Sequence, residues 1–285
     1  MIIAVINNKG GTGKTTTAVN LGGAFAKLGY NALVVDLDPQ ASASLFLGTN
    51  SNESSPSMSK VLFNDVSIKS AVRSSSMPGL DFMTADPELY NADLIWSDVS
   101  GRERKLTTAL ESIKVDYDFI LCDCPPSFST ISVNALVAAD AYIIPVTPDY
   151  LVLEDLSCMI GLVEELRDNM PIEVELLGIV LTMTPTTSPL LSSKARLARS
   201  NIDILRKHFD ENVVSTEIKM NTKLAEAPAH GTTVFGSARS SQAAKQYLKL
   251  AEELIQRCGM LTLKATSRRT AKLKGQERNE LGAST

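Results

Sequence analysis

The chain has 285 residues, 44% apolar but only 5% aromatic, and a net charge of −4. That length suits one large α/β unit with an aliphatic core, which needs no disulfide or structural metal to hold it. Four cysteines at irregular spacing fit a reducing cytoplasm, and no apolar run reaches the roughly eighteen residues of a spanning helix, so the composition points to a soluble protein.

In chain order, Met1 to Ile6 is apolar and runs directly into Asn7, Asn8 and Lys9, which is not the pattern of a leader. Ile2 to Ile6 reads as a buried strand. A glycine-rich stretch follows, and then Thr15 to Leu28 carries apolar residues at helical spacing until Gly29 stops it. Ala32 to Leu37 is a second strand with Asp36 and Asp38 at its end. Residues 49–60 form a polar surface loop. Phe119 to Cys122 is a third strand, closed by Asp123, Pro125 and Pro126, and Tyr142 to Val146 and Leu177 to Met183 are two more. Cys122 and Cys124 make a C-x-C pair inside an apolar run, with no second pair to complete a metal site, so they read as buried strand thiols.

Short apolar strands alternating with amphipathic helices predict a mostly parallel twisted sheet with helices on both faces, and a ligand at the carboxyl ends of the strands. The domain is expected to span residues 1–260. Residues 261–285 carry Lys264, Arg268, Arg269, Lys272, Lys274 and Arg278 against Glu277 and Glu280, a flexible tail of net charge +4 on a body of −8. A basic tail on an acidic body suits either a polyanion partner or simple solvation.

The chemistry lies in Asn8-Lys9-Gly10-Gly11-Thr12-Gly13-Lys14-Thr15-Thr16, placed between a strand and a helix. Glycines at 10, 11 and 13 free the backbone to turn N–H groups toward phosphates at a helix N-terminus. Lys14 supplies a charge for the β- and γ-phosphates, and the Thr15 hydroxyl suits Mg²⁺. A standard phosphate loop has Gly at position 8. This chain has Asn8 and then Lys9, and the pattern Lys-Gly-Gly-x-Gly-Lys-Thr from Lys9 to Thr15 is the signature of the deviant Walker A ATPases. The expected nucleotide contacts are therefore Lys9, Gly10, Gly11, Thr12, Gly13, Lys14, Thr15 and Thr16, with ATP and Mg²⁺ as cofactors. Asp38 is placed to orient the attacking water and Asp123 to act as a Walker B aspartate; with Thr15 they are the candidate metal residues, and Lys9, Lys14, Asp38 and Asp123 the catalytic set.

The loop, Val35 to Gln40, Asp123-Cys124-Pro125-Pro126-Ser127, Asn134 to Asp140 and Leu224-Ala225-Glu226-Ala227-Pro228-Ala229-His230-Gly231 resemble the ParA/Soj partition ATPases of the ParA/MinD group. The last segment is the most family-specific after the loop, and Tyr247 to Leu254 is typical of the final helix. The resemblance spans residues 1–257. It implies a homodimer that sandwiches ATP, in which Lys9 reaches the partner's nucleotide. It also implies non-specific DNA binding on the nucleoid, and a centromere-binding, ParB-like activator. The same switch could instead position a protein cargo on the nucleoid.

Candidate DNA contacts are Lys219, Lys223, Arg239, Lys245 and Lys249, then Arg196 and Arg199. Ile218-Lys219-Met220-Asn221 departs from the family's Ile-Pro-Arg-Asn, which puts the adenine pocket and one basic contact in question. The sequence starts at the first strand, so a preceding helix-turn-helix and operator autorepression are not expected. No apolar face follows Thr262, which argues against membrane association of the MinD kind, and the buried thiols argue against an iron–sulfur carrier. His208 and His230 have no nucleophile partner and read as structural.

Overall fold

The computed structural model describes residues 1–49, 55–149, 151–188, 190 and 192–260. The predicted tail at 261–285 and part of the predicted polar loop at 49–60 lie outside the described residues.

Among the described residues seven strands form one sheet: β1 (Ile2–Val5), β2 (Ala32–Asp36), β3 (Val72–Ser74), β4 (Leu80–Met83), β5 (Phe119–Asp123), β6 (Ala141–Val146) and β7 (Glu175–Leu181). Their order is β3-β4-β2-β5-β1-β6-β7, and every pairing is parallel except β3 with β4. The central strands β1, β2, β5 and β6 are buried along their whole length, as expected of runs covered on both faces. Pro145 sits within β6 without cost, because its missing N–H falls beyond the end of β1; its carbonyl accepts from the Asn7 side chain at 2.8 Å.

The helices are α1 (Lys14–Lys27), α2 (Ser42–Phe46), α3 (Met58–Asn64), α4 (Ile68–Ala71), α5 (Ala92–Ile95), α6 (Lys105–Leu110), α7 (Thr130–Ala138), α8 (Val152–Asn169), α9 (Ser193–Phe209), α10 (Thr222–Glu226), α11 (Val234–Ser237) and α12 over residues 242–260. Two hydrophobic clusters divide them. One, centred on Trp96, Leu106, Leu136 and Leu156, packs α3 to α8 on one face of the sheet. The other, centred on Leu21, Phe25, Tyr247 and Leu250, packs α1 and α12 on the opposite face. In α12 the buried side chains Ala243, Tyr247, Leu250, Ala251, Leu254 and Cys258 recur at helical spacing, so one stripe faces the sheet.

The predicted α/β architecture is therefore the observed one. Its boundaries differ slightly at the point that matters. The second strand stops at Asp36, so Asp38 lies in the following loop rather than on the strand, and the last strand stops at Leu181 instead of Met183. Beyond those points the chain leaves the ladder to meet the site.

The helix–sheet contact under α1 rests on Phe25, which stacks on Phe119 of β5 with centroids 3.9 Å apart and planes 10° from parallel. Phe25 is fully buried. Phe25→Ala is expected to lower the unfolding free energy by about 3–5 kcal/mol, measured as a shift in the denaturant midpoint at unchanged slope.

Candidate phosphate-binding site

The loop between β1 and α1 bends through two left-handed residues, Gly11 at φ 74° and Gly13 at φ 83°, conformations that other residues adopt only under strain. No side chain caps the start of α1, so its first N–H groups remain available to an anion. A Cβ placed on Gly10 or Gly11 would meet nothing within 4 Å, because the loop borders open space. That space is a cleft of about 720 Å³, walled by Gly10, Gly11, Gly13, Lys14, Thr15 and Thr16 on one side. Asp38 and α2 form a second wall, and Leu224, Ala225, Pro228 and Ala229 a third. The segment that carries the family-specific pattern is thus brought against a loop more than two hundred residues earlier. Gly231 and Gly48 meet backbone to backbone there, since a Cβ on Gly231 would lie 2.9 Å from the Gly48 Cα.

The Lys14 ammonium is buried and donates to the Lys9 carbonyl at 3.0 Å. Burial pulls its pKa down, while Asp123, Cys124 and Asp38 pull the other way. Thr12 is buried and outside the cleft wall: its hydroxyl donates to the Lys9 carbonyl and its own carbonyl accepts from Thr182 at 2.8 Å, so it braces the loop. Lys9 also points away from the cleft. Its ammonium lies 3.3 Å from Asp155 and 3.6 Å from Asp149, in ion pairs open to solvent.

Asp36 and Asp123 are register partners at the ends of the adjacent strands β2 and β5, both with no exposed surface. Asp36 is well partnered. It accepts from the Ser44 N–H at 2.8 Å, the Ser44 hydroxyl at 2.6 Å and the Asp38 N–H at 3.1 Å. Burial nevertheless pushes its pKa up to about 7 against those hydrogen bonds. Asp123 has none of this support. Both its carboxylate oxygens are buried and lack a hydrogen bond among the described residues. Burial and then the like charge of Asp36 raise its pKa well above the carboxylate range; the nearby Thr15 hydroxyl acts in the opposite sense without completing a hydrogen bond of good geometry. An unpaired buried carboxylate is costly, and beside a hydroxyl and an ammonium it fits a hard divalent cation. The donor set Thr15, Asp123 and Asp38 passes that test. Asp38 Oδ1 accepts from the Gln40 N–H at 2.9 Å, leaving Oδ2 without a hydrogen-bond partner among the described residues.

The structure therefore brings together Gly10, Gly11, Gly13, Lys14, Thr15, Thr16, Asp38 and Asp123, and sets Lys9 and Thr12 at the margin. Asn20 and Ser44 escaped the sequence reading. Asn20 is buried in α1; its side chain donates to the Thr16 carbonyl and accepts from the Val234 N–H, both at 2.8 Å, tying the loop's helix to α11. A polar residue on the apolar side of a predicted helix was its one signal.

Other expectations are placed as follows. The Cys122 and Cys124 thiols are fully buried, with Cys122 pushed up to about 12 by burial. No group of His, Cys, Asp and Glu among the described residues has the arrangement of a metal site formed by three or more of them. His208 and His230 are both exposed, and His208 lies edge-on to Phe209. Ile218 to Asn221 lies beside the third wall rather than in it, with Ile218 buried and hydrogen-bonded to Leu181. Among the described residues Arg196, Lys219, Arg239, Lys245 and Lys249 have no ion pair, whereas Lys223 pairs with Glu226 and Arg199 with Glu217. No described helix is long and apolar enough to cross a membrane.

Residues 1–176 match the AAA domain family. Over 253 residues the chain is 35% identical to the sporulation initiation inhibitor protein Soj of Bacillus subtilis, covering 89% of this chain and 97% of that one. It is 34% identical over 258 residues to the chromosome partitioning protein ParA of Caulobacter vibrioides, covering 90% and 94%. Among solved structures, the cobyrinic acid a,c-diamide synthase of Mycobacterium smegmatis with a bound ATP analogue and magnesium superimposes with a TM-score of 0.77. The identity there is 25%, over 90% of this chain and 94% of that one. With its sheet, its loop and about nine-tenths of its length aligned to such relatives, the chain belongs to the ParA/Soj family of partition ATPases.

Proposed function

We propose that this chain is a Mg²⁺-dependent ATPase that dimerises with ATP, binds DNA without sequence preference and segregates plasmid or chromosome DNA. A ParB-like centromere-binding protein stimulates its turnover, and it works in the cytoplasm on the nucleoid. The observation that carries the ATPase reading is the unpartnered Asp123, buried beside Lys14 and Thr15 under a glycine-lined cleft. The name of one relative, the chromosome partitioning protein ParA of Caulobacter vibrioides, aligned nearly end to end, supports the cellular role.

Each residue has a distinct task in this reading. The N–H groups of Gly10 to Thr16 and the Lys14 ammonium hold the phosphates, with the helix start adding partial positive charge. Thr15, Asp123 and Asp38 would hold Mg²⁺, which when bound neutralises charge on the β- and γ-phosphates. Asp38 offers its open Oδ2 to orient and deprotonate the attacking water. Lys9 is the cation available to a partner's nucleotide. Its pairs with Asp149 and Asp155 are solvent-exposed, worth at most about 1 kcal/mol, and are readily exchanged for a phosphate. Arg196, Lys219, Arg239, Lys245 and Lys249, which have no ion pair among the described residues, are the candidate cations for DNA phosphates.

Lys14→Ala is expected to weaken ATP binding about a hundredfold or more, read by titration of a fluorescent ATP analogue; unchanged affinity would contradict the loop's role. Asp38→Ala should bind ATP normally yet turn over about a hundredfold more slowly, and undiminished phosphate release would remove Asp38 from the mechanism. DNA affinity should be high with ATP and low with ADP or no nucleotide. It should fall linearly with log salt, and the double variant Lys245→Ala/Lys249→Ala should flatten that slope by about two. Equal DNA affinity in all three nucleotide states would refute the switch.

A further inference from the structure

Between α3 and α4 on one side and α6 on the other lies a second cavity, of about 440 Å³, which shares no residue with the phosphate cleft. Its floor is apolar, with Val61, Leu62 and Ile68 buried there as part of the core. Its rim is polar. Ser67, Thr108 and Ser112 bring exposed hydroxyls to it, and Arg104 and Lys105 bring two consecutive cations. Asp65 is the one carboxylate in the wall; Glu103, next to the cations in sequence, is not part of it. Among the described residues Arg104, Lys105 and Asp65 have no ion pair, so the two cations are not consumed by the fold.

The turn that carries the cations is fixed from below. Asn134 of α7 is buried; its side chain accepts from the Leu106 N–H at 3.0 Å and donates to the Arg102 carbonyl at 2.9 Å. Backbone groups on both sides of Arg104 and Lys105 are therefore held by a single buried amide. The neighbouring Arg102 has a different use: its guanidinium donates to the Trp96 carbonyl at 3.1 Å and the Ser97 carbonyl at 3.0 Å, which closes the turn. At Gly101, with φ 71°, an added Cβ would meet nothing within 4 Å, so this edge of the cavity opens to space. The result is a rigid cationic corner above an apolar floor, in place before any ligand arrives.

We propose that this cavity binds a small amphiphilic anion: one phosphate or carboxylate group held by Arg104 and Lys105, with a ring or short hydrocarbon body laid on Val61, Leu62 and Ile68. Charge and size select that class. Arg104 and Lys105 against Asp65 leave one net positive charge, which matches a single anionic group rather than a triphosphate or the repeated phosphates of a nucleic-acid strand. The volume lies in the range of small-molecule sites. The buried floor adds apolar contact that a bare inorganic ion has no means to use. The site stands apart from the nucleotide cleft, and the inference does not depend on the ATPase reading.

The probe is phenyl phosphate, followed by ligand-detected NMR titration with Mg²⁺ and ADP in excess throughout; phenol and inorganic phosphate are its two halves. The unmodified chain should bind phenyl phosphate with a Kd on the order of a millimolar or below, and each half at least about tenfold more weakly. Arg104→Gln/Lys105→Gln should weaken phenyl phosphate binding about tenfold or more at an unchanged melting temperature, since both side chains lie at the rim. Arg104→Lys/Lys105→Arg, which keeps both charges, should stay within a few-fold of the unmodified chain. Inorganic phosphate binding as tightly as phenyl phosphate would overturn the proposal, because the floor would then contribute nothing. Undiminished binding by the Gln variant would place the probe elsewhere, the phosphate cleft included, and no binding at about 10 mM would dispose of the site. ADP binding, followed separately, reports on the nucleotide cleft, so its failure would remove that reading and leave the comparison between these variants intact.

Discussion

Two carboxylates with no exposed surface sit side by side at the ends of β2 and β5, and only one of them is hydrogen-bonded. A folded protein tolerates such a pair only where something compensates it, because a buried charge without a partner costs several kcal/mol. Asp36 is compensated from within by Ser44 and the Asp38 backbone. Asp123 is not, and the surrounding elements converge on that deficit: α1 brings Lys14 and Thr15 to it, and the glycines keep the space in front clear. The molecule stores a need for positive charge at the place where a nucleotide and its cation would supply and require it.

The same pair explains why the surrounding loops are coupled. Asp36 is the fixed point from which the Asp38 loop and α2 are hung, so the second wall of the cleft follows wherever that carboxylate's hydrogen bonds lead. The Ser44 hydroxyl passes the tether on to Ala85, and α2 reaches Gly231 through the bare backbone of Gly48. The second wall of the cleft is thus tied to Ala85 on one side and to Gly231 on the other. A residue with a Cβ at 48 or 231 would force those backbones apart, so the contact depends on glycine at both positions.

Lys9 illustrates how a family signature differs from a local role. In the single chain its ammonium is occupied by Asp149 and Asp155, which do not line the cleft. These exposed pairs are weak enough to yield to a doubly charged phosphate oxygen cluster, so the arrangement is compatible with a lysine that waits for another molecule's nucleotide. Its ammonium is held by Asp149, after β6, and by Asp155 in the first turn of α8.

Much of this was legible in the residues themselves. Continuous apolar runs ending in Asn7, Asp36 and Asp123 announce buried parallel strands with polar ends, because a strand covered on both faces has no other place for a carboxylate. Glycines at 10, 11 and 13 before a helical period announce an anion site, since only they admit the left-handed turns seen at 11 and 13. Periodicity is local, and so are these inferences. What the tertiary structure alone decided is non-local: that Asp36 and Asp123 are register partners, that Pro228 and Ala229 line the same cleft as Lys14, that Lys9 turns to Asp155, and that Tyr90 reaches Gln40 and Asp93 the start of α7. Those relations depend on strand order and on which face each crossover takes, which no spacing along one chain encodes, and they set the charge balance that gives the site its chemistry.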